Sequence, residues 1–483
     1  MSGKSNRLGV KQLRLRRYEV MHSLLNLAFL TVFLFAWPRM LFARLFEGKY
    51  RDGLIARFFG WTAPRSNSRP CMWLHAASLG EVNVLAALLP ELRRIYPDWE
   101  VVVSTSTNSG YEHALHKFPQ ARVFSCPFDL TWATATAVAR VRPRLFVVVE
   151  FERLHNLFRS VSQSGAQLVL VNGRLSEHND RFCRIFPAWS RRLMSFFDLV
   201  LVQHVDDARR FQRLGVANHK LQVTGSIKFD GALPQRDNPL TRQLRQLANL
   251  TEDDVVLLAG STQGQEERLV LAAFSALAPE FPRLKLLLCP RHASRFQEVS
   301  ALLNRRSIAW QARSTLEANR PNPSARVLLI DSIGELHGWW GTAHLAFVGG
   351  SLGSARGGQN MIEPAAYGAA VAFGPNTQNF RDVVSLLLAS DAAVMVEDQR
   401  ELTAFLRRSL EQPELAAEMG QRARELVSCQ GGAVASTLQS MRSGLEPLAP
   451  SIYNPKPAPV RQQFALSGME QTCYWNGEAA AKS

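Results

Sequence analysis

From residue 71 onward, short apolar runs alternate with amphipathic segments. Seven such runs in the first half of the chain are predicted to be strands: CMWLHA (71–76), WEVVVST (99–105), ARVFSC (121–126), RLFVVVE (144–150), AQLVLVN (166–172), DLVLVQ (198–203) and LQVTG (221–225). Because their apolar residues are nearly continuous, both faces of these strands should be covered, as in a parallel sheet. Helical periodicity in the gaps, for example at 82–96 and 206–214, predicts repeated βα units.

The polar, proline-containing stretch 230–243 breaks this rhythm and is predicted to be a linker. Five further predicted strands follow it: DVVLLAG (254–260), LKLLLCP (284–290), RVLLI (326–330), HLAFVGG (344–350) and AAVAFG (369–374). The sequence therefore predicts an α/β protein with two Rossmann-like, doubly wound domains, 51–235 and 236–445, that face a central cleft. The proline-containing, polar stretch 446–483 is predicted to be a disordered tail.

The amino-terminal residues 1–50 carry a membrane signal. Residues 4–17 contain six basic side chains and no acidic one, and the apolar run LLNLAFLTVFLFAW follows at 24–37. This run is shorter than the ~20 residues that a transmembrane helix needs. A helix embedded in the cytoplasmic leaflet, or a short uncleaved anchor, is therefore predicted, with its cations on lipid phosphates. A buried core helix is the alternative, but it would leave the basic clusters unexplained.

Charge and composition favour some classes of function over others. The 483-residue chain has a formal net charge of +15, which suits an anionic partner or simply solubility. Nucleic-acid binding is disfavoured because the bases concentrate beside the apolar run. Six cysteines without a CxxC pair favour free thiols. Neither a P-loop, a DxD pair nor a metal-ligand cluster occurs, so no metal or other cofactor is expected, and dipoles and cations would stabilise a departing phosphate.

The first candidate catalytic residue is Glu81, in the segment HAASLGEV after the first predicted strand. Gly80 permits a tight turn there, and Glu81 should lie in the first turn of the next helix, facing the cleft. The helix dipole would keep this carboxylate ionised, as a general base requires. A carboxylate that merely complements the dipole is the alternative.

A second candidate follows the fourth predicted strand, where Glu150 and Glu152 flank Phe151. Alternation along an extended segment predicts that both carboxylates point to one side. A carboxylate at the end of an apolar strand is costly unless it is paired or functional, and Lys228 is the predicted partner. A purely structural salt bridge remains the alternative.

The second half predicts a nucleotide site. The segment CPRHASRF places Arg291, His292 and Arg295 at a strand end, and DSIGEL (331–336) follows the next strand. In VGGSLGSARGGQNMIEPAA (348–366) the glycines would let backbone N–H groups approach a phosphate, and residues 360–363 would open a helix whose amino terminus attracts anions. Glu363 is placed to reach ribose hydroxyls.

Taken in order, these segments resemble the Kdo transferases, which attach 3-deoxy-D-manno-octulosonic acid (Kdo) from CMP-Kdo to lipid A precursors. The resemblance spans about residues 71–382 and rests on these matches: HAASLGE, STSTNSG, VVVEFER, NGRLSE, VTGSIKFD, GSTQGQEE, CPRHASRF, DSIGEL, FVGGSLG, GGQNMIEPAA and FGPNTQNF. Two places depart from the family pattern: Leu154 and His155 replace a Trp-Pro pair, and Gln359 and Met361 stand where His and Pro are common.

The resemblance implies a GT-B fold and an inverting glycosyltransferase of lipopolysaccharide biosynthesis at the cell inner membrane, with its catalytic domains on the cytoplasmic side. Its partners would be CMP-Kdo, an anionic lipid A precursor and the membrane surface. Glu81 would be the general base, while Glu150 and Lys228 would support the transition state. The implied nucleotide contacts are Pro290, Arg291, Ile333, Gly334, Glu335, Asn360, Met361, Ile362 and Glu363.

Two other interpretations remain open from the sequence. One is a related metal-independent GT-B transferase that uses another nucleotide sugar. The other is an inactive, membrane-bound homologue that serves as a binding protein, against which the intact Glu81, Arg291 and Glu363 speak.

Overall fold

The computed structural model describes Thr31 and residues 53–230, 235–306, 308–316, 322–353 and 357–445. The chain divides into two compact units. In the described part, the first unit comprises residues 53–230 and 432–445, and the second comprises residues 235–431. Apart from Thr31, the predicted anchor at 1–50 and the predicted tail at 446–483 lie outside the described residues.

The first unit is built on a seven-stranded parallel sheet with the order β3-β2-β1-β4-β5-β6-β7. Its elements are α1 (Leu54–Phe59), β1 (Cys71–His75), α2 (Leu79–Ile95), β2 (Glu100–Thr105), α3 (Asn108–Lys117), β3 (Arg122–Ser125), α4 (Thr131–Val141), β4 (Leu145–Val149), α5 (His155–Gln163), β5 (Gln167–Gly173), α6 (Glu177–Ile185), α7 (Pro187–Met194), β6 (Leu199–Val202), α8 (Val205–Arg213) and β7 (Leu221–Val223).

The central strands of this sheet are buried on both faces. Trp73, Phe146 and Leu168 belong to a hydrophobic cluster on one face. Leu74 and Val147, their neighbours along the strands, belong to the cluster on the other face. Burial on both faces explains why the strands have continuous apolar runs instead of an alternating pattern.

The second unit has a parallel sheet of seven strands in the order β10-β11-β9-β8-β12-β13-β14. Its elements are α9 (Pro239–Leu247), β8 (Val255–Thr262), α10 (Glu266–Leu277), β9 (Leu284–Pro290), α11 (Phe296–Arg305), β10 (Trp310–Ala312), β11 (Val327–Leu329), α12 (Leu336–Trp339), β12 (Leu345–Val348), α13 (Ile362–Ala366), β13 (Ala370–Phe373), α14 (Arg381–Ala389), β14 (Ala393–Met395), α15 (Gln399–Glu411) and α16 (Pro413–Gln430).

The structure confirms the predicted fold class, since each unit is a Rossmann-like, doubly wound sheet. Every strand predicted from the apolar runs is present, whereas β10 and β14 were not predicted. Helix α9 begins inside the stretch that was interpreted as a linker. In the described parts of the chain, no helix combines the length and apolar character needed to cross a bilayer.

The last described helix, α17 (Ala433–Gly444), differs from the prediction because it belongs to the first unit. Its residues Ala433, Leu438 and Met441 join the same hydrophobic cluster as Leu74. The carboxylate of Asp230 accepts hydrogen bonds from the backbone N–H groups of residues 432–434, which open this helix. The sequence pattern did not indicate which of the two sheets this segment would cover.

The strand order reverses between β1 and β4 in the first sheet and between β8 and β12 in the second, where β11 also lies between β9 and β10. In doubly wound sheets, ligands bind outside the carboxyl ends of the strands at such a reversal. The segments after β1 and β4, and those after β8 and β12, are therefore the places to look for a site.

Candidate active site

Glu81 lies where the sequence predicted, in the first turn of α2 after the end of β1. Its side chain is half-buried. The backbone N–H of Ala77 donates to Glu81 Oε2 at 2.6 Å, and the Ser78 hydroxyl donates to Oε1 at 3.0 Å. Ser78 occupies the N-cap position of α2, so these bonds tie the carboxylate to the segment that enters the helix. The two hydrogen bonds fix the orientation of the carboxylate.

The protonation of Glu81 differs from the expectation based on the helix dipole. Burial, together with the negative charge of Glu150, raises the pKa of Glu81 to about 7. The hydrogen bonds from Ala77 and Ser78 and the charge of His75 oppose this shift without cancelling it. A carboxylate with a pKa near 7 is a stronger base than an ordinary glutamate and is still substantially ionised at neutral pH. The site is therefore suited to accept a proton.

Glu150 follows directly after β4 in the left-handed backbone region, with a φ of 56°. Its carboxylate Oε1 forms an ion pair with Lys228 Nζ at 2.9 Å, as the sequence predicted. Lys228 lies in a short 3₁₀ helix that is held in place by Asn172, whose Oδ1 accepts a hydrogen bond from the Ile227 N–H at 2.9 Å. The pair therefore joins the end of β4 to the segment after β7, close enough to Glu81 for its charge to act there.

Glu152 has partners of its own. The backbone at Glu150 is not extended, so the alternation that was predicted for this segment does not apply there. Glu152 Oε2 lies 2.9 Å from the Nε2 atom of the fully buried His75, and the Ser106 hydroxyl donates to it at 3.1 Å. Burial raises the pKa of Glu152, but the bonds from His75 and Ser106 outweigh this and hold the pKa below its usual range. The sequence did not indicate that Glu152 pairs with His75, since the two residues lie 77 positions apart in the chain.

In the second unit, Arg291 follows β9, whose last residue is Pro290. The Arg291 backbone N–H donates to the Thr262 carbonyl at 3.0 Å, and its side chain is exposed. Arg295, the other arginine predicted at this strand end, is instead engaged by Glu267 and the Gly264 carbonyl. Arg291 is therefore the guanidinium at this strand end that is available to an anionic ligand.

In the glycine-rich loop after β12, three of the N–H groups that were expected to approach a phosphate are bonded within the protein. The buried carboxylate of Glu266 accepts hydrogen bonds from the N–H groups of Gly350, Ser351 and Leu352 at 2.7–2.9 Å. It also accepts the N–H of Gln263 at 2.7 Å. Glu266 opens α10, which follows β8, the strand next to β12. These three loop amides are therefore committed to a protein carboxylate.

The segment that carries Asn360 and Glu363 is ordered by its own side chains. Asn360 Oδ1 accepts the N–H of Ile362 at 3.0 Å, and Asn360 Nδ2 donates to Glu363 Oε1 at 3.0 Å. Met361 and Ile362 are buried, whereas Glu363 is half-buried in the first turn of α13. Of the four predicted residues, Asn360 and Glu363 can therefore offer polar side-chain atoms, and Met361 and Ile362 can offer only backbone groups.

The loop after β11 contains the remaining predicted contacts. Ile333 is 77% exposed, and Gly334 has a φ of 92°. Glu335 is bound by Arg313 at 2.7 Å and by the Ser332 hydroxyl at 2.6 Å. Burial raises the pKa of Glu335, but these two partners hold it below its usual range. Arg313 was missed by the sequence interpretation because it follows β10, one of the strands that were not predicted.

The described residues contain free cysteines and no cluster of metal-ligating side chains. Within the described ranges, no three His, Cys, Asp or Glu side chains form a group that could hold a metal ion. The five cysteines that the structure describes are free thiols, and Cys71, Cys126, Cys183 and Cys289 are buried.

Comparison with known proteins shows which family the chain resembles. Residues 53–231 match the family model described as 3-deoxy-D-manno-octulosonic-acid transferase (kdotransferase). The chain is 31% identical to the 3-deoxy-D-manno-octulosonic acid transferase of Chlamydophila psittaci over 82% of this chain and 91% of that protein. It is also 31% identical to the transferase of the same name from Bordetella pertussis, over 86% of this chain and 96% of that protein.

Among solved structures, the UDP-GlcNAc 2-epimerase from Neisseria meningitidis bound to UDP-GlcNAc is similar, with a TM-score of 0.51. The alignment covers 77% of this chain and 100% of that chain, at 12% identity. At such low identity the likeness concerns the fold alone, and it agrees with two Rossmann-like units.

Proposed function

The chain belongs to the 3-deoxy-D-manno-octulosonic acid (Kdo) transferase family, and from this premise we propose that it transfers Kdo from CMP-Kdo to a lipid A precursor. The chain is thus a glycosyltransferase, and the proposal concerns its donor, its acceptor and its mechanism. The reaction would proceed with inversion at the anomeric carbon, as a step of lipopolysaccharide biosynthesis.

The observation that carries the mechanistic proposal is the environment of Glu81. A hydroxyl attacks an anomeric carbon more readily when a base removes its proton in the transition state. Glu81 is an oriented carboxylate at the reversal point of the first sheet, with a pKa of about 7. In the proposed step, Glu81 takes the proton of the acceptor hydroxyl, the hydroxyl oxygen bonds to the anomeric carbon of Kdo, and the bond to the CMP phosphate breaks.

Glu150 and Lys228 are proposed to support this transition state as a pair. Lys228 Nζ and Glu150 Oε1 lie 2.9 Å apart, so the pair places one positive and one negative charge near Glu81 and has a net charge close to zero. Because Glu150 contributes to the raised pKa of Glu81, the pair also sets the basicity of the proposed base. Preorganised charges of this kind favour a transition state because they need little rearrangement when charge develops.

The second unit is proposed to bind the CMP part of the donor without a metal. Arg291 would hold the departing phosphate, and Asn360 and Glu363 would bind polar groups of the nucleotide. An exposed guanidinium can form charge-assisted hydrogen bonds to a phosphate. Since the amides of residues 350–352 are bound to Glu266, the phosphate would rely on Arg291 instead of on that loop.

The direct test of the proposed reaction is incubation of the purified chain with CMP-Kdo and a tetra-acylated lipid A precursor, followed by mass spectrometry of the lipid. The proposal predicts that the lipid gains the mass of one or more Kdo residues and that CMP is released in equal amount. CMP release without any change in the lipid would contradict the proposed acceptor.

Arg291→Ala is expected to weaken CMP binding about ten- to hundredfold, the range for loss of a hydrogen bond to a charged group. Calorimetric titration of CMP measures this effect. Arg305→Ala, on the exposed side of α11, is the matched control and should bind CMP normally. Unchanged affinity in the Arg291 variant would remove this residue from the donor site.

Residues 1–50 are proposed to attach the chain to the cytoplasmic face of the inner membrane. The proposal rests on the basic clusters and on the apolar run at 24–37. Deletion of residues 1–47 leaves α1 intact. It is expected to lower cosedimentation with anionic vesicles severalfold, because the apolar run would provide most of the surface that enters the membrane. Undiminished sedimentation of the deleted chain would argue against the anchor.

A further inference from the structure

Helices α6 and α7 meet at an exposed apolar corner in the first unit. Ile185 ends α6 and is 63% exposed, and Phe186 at the junction is 49% exposed. Pro187, which opens α7, is exposed as well. These two consecutive large apolar residues are both exposed where the helices join, so covering them would remove apolar surface from water. We refer to residues 181–192 as the α6–α7 tip.

The two helices also carry four arginines, of which Arg192 lies over the ring of Phe196. The guanidinium-bearing residues Arg181, Arg184, Arg191 and Arg192 are all exposed. Among the described side chains of residues 178–195, Asp180 is the acidic one. It is buried, and its Oδ2 atom lies 2.6 Å from Arg184 Nη2. The tip therefore combines exposed apolar area with a local excess of positive charge.

The tip is held firmly from beneath. Phe182 packs edge-on against Trp189 across the two helices, and Arg153 lies over the Phe182 ring. Trp189 in turn stacks on His155, which is buried in the unit. Because the bases of both helices are fixed, the exposure of Ile185 and Phe186 is a property of the folded unit.

We propose that the α6–α7 tip inserts into the surface of an anionic phospholipid leaflet. Ile185 and Phe186 would lie below the lipid phosphates, and the arginines of the two helices would bind those phosphates. Burial of apolar side chains and attraction of cations to anionic lipids act together in interfacial binding. Among the described side chains of residues 178–195 the exposed charges are all positive, which complements the phosphates of an anionic leaflet.

This contact is additional to the proposed anchor at 1–50 and does not depend on it. The tip would fix the orientation of the first unit on the leaflet, because it is part of that folded unit. An enzyme that acts on a lipid gains from a fixed orientation, because reacting groups must be aligned as well as close.

The test uses the full chain with an environment-sensitive fluorophore on Phe186→Cys, in a background of Cys429→Ser and Cys473→Ser. The matched control carries the label on Leu115→Cys, an apolar residue of the same unit that is 45% exposed. Vesicles of phosphatidylethanolamine and phosphatidylglycerol should shift the emission of the Phe186 label to shorter wavelength. Lipids brominated on their acyl chains should quench that label and not the Leu115 label.

The alternatives give different results. A Phe186 label that keeps its emission in water while the chain sediments with the vesicles would overturn the proposal. A blue shift without vesicles that grows with protein concentration would show that a second copy of the chain covers the tip, and would also overturn it.

Charge provides a second, independent readout. Arg181→Gln combined with Arg191→Gln should weaken insertion of the labelled tip about 25-fold, on the scale of about fivefold per basic side chain at an anionic surface. The control pair Arg94→Gln and Lys117→Gln, also exposed in the first unit, should leave insertion unchanged. Equal effects of both pairs would mean that overall charge, and not the tip, governs the contact.

Discussion

Glu81→Gln is expected to reduce Kdo transfer by about 10²–10⁴-fold, because general base catalysis contributes a factor of that size. The amide keeps the shape of the carboxylate and can still accept the hydrogen bond from Ala77 N–H, but it cannot accept a proton. Binding of CMP should persist, since Arg291, Asn360 and Glu363 all belong to the second unit. The measurement is the initial rate of CMP-Kdo-dependent lipid modification, with CMP affinity determined in parallel.

The same substitution is expected to stabilise the fold at high pH. The pKa of Glu81 is about 7 in the folded chain, against an ordinary value of 4.5, so ionisation of this group above pH 7 opposes folding. Each pKa unit corresponds to about 1.4 kcal/mol. Because the side chain is partly exposed, the expected gain at pH 8 is on the order of 1–3 kcal/mol. The gain should shrink as the pH falls from 7 towards 4.5, because Glu81 is then protonated in the folded chain and increasingly also in the unfolded chain.

Urea denaturation of the variant and the wild type at pH 8 and pH 5 measures this difference. Glu91→Gln, on the same helix and paired with Arg94 at 3.2 Å, is the matched control and should change neither the rate nor the stability appreciably. Wild-type turnover in Glu81→Gln would remove Glu81 from the mechanism. A variant that is inactive and also less stable at pH 8 would mean that the carboxylate serves the helix start more than the chemistry.

Glu150→Gln and Lys228→Met are expected to move the pH dependence of transfer in opposite directions. Removing the charge of Glu150 removes a cause of the raised pKa of Glu81, so the midpoint of the rate profile should shift to lower pH. Removing Lys228 leaves Glu150 without the cation 2.9 Å away, so the midpoint should shift to higher pH. Both variants should also lose rate, since the pair is proposed to support the transition state.

The shift of the midpoint separates this account from a purely structural salt bridge. Loss of a structural ion pair would lower activity in both variants without moving the midpoint in opposite senses. Lys117→Met, an exposed substitution on α3, controls for the loss of one positive charge in the same unit. Midpoints that shift together, or not at all, would contradict the proposed coupling between Glu81 and the pair.

Much of the fold could be predicted because buried parallel strands leave continuous apolar runs. The strands that escaped prediction, β10 (Trp310–Ala312) and β14 (Ala393–Met395), are three-residue strands at the edges of their sheet and are partly exposed. Strands of that kind need few apolar residues, so they leave little periodic signal.

The candidate site could be predicted less completely, because its partners are set by strand order. Glu150 and Lys228 were paired correctly, since an apolar strand end left Glu150 in need of a cation. By contrast, Glu266 reaches a loop 84 residues further along the chain, because β8 and β12 are neighbours. No spacing in the sequence announces that contact. The protonation of Glu81 was also missed, since burial depends on packing that a helix-start motif does not contain.

The most direct test of the central claim is the pH profile of kcat/KM for the wild-type chain, with CMP-Kdo and a lipid A precursor as substrates. A base must be deprotonated to act, and kcat/KM reports ionisations of the free enzyme. The account predicts a rate that rises about tenfold per pH unit below pH 7 and levels off above it, with a midpoint near 7 that Glu150→Gln lowers. A profile that is flat from pH 5.5 to 8 would contradict it, because no base in this range would then limit the reaction.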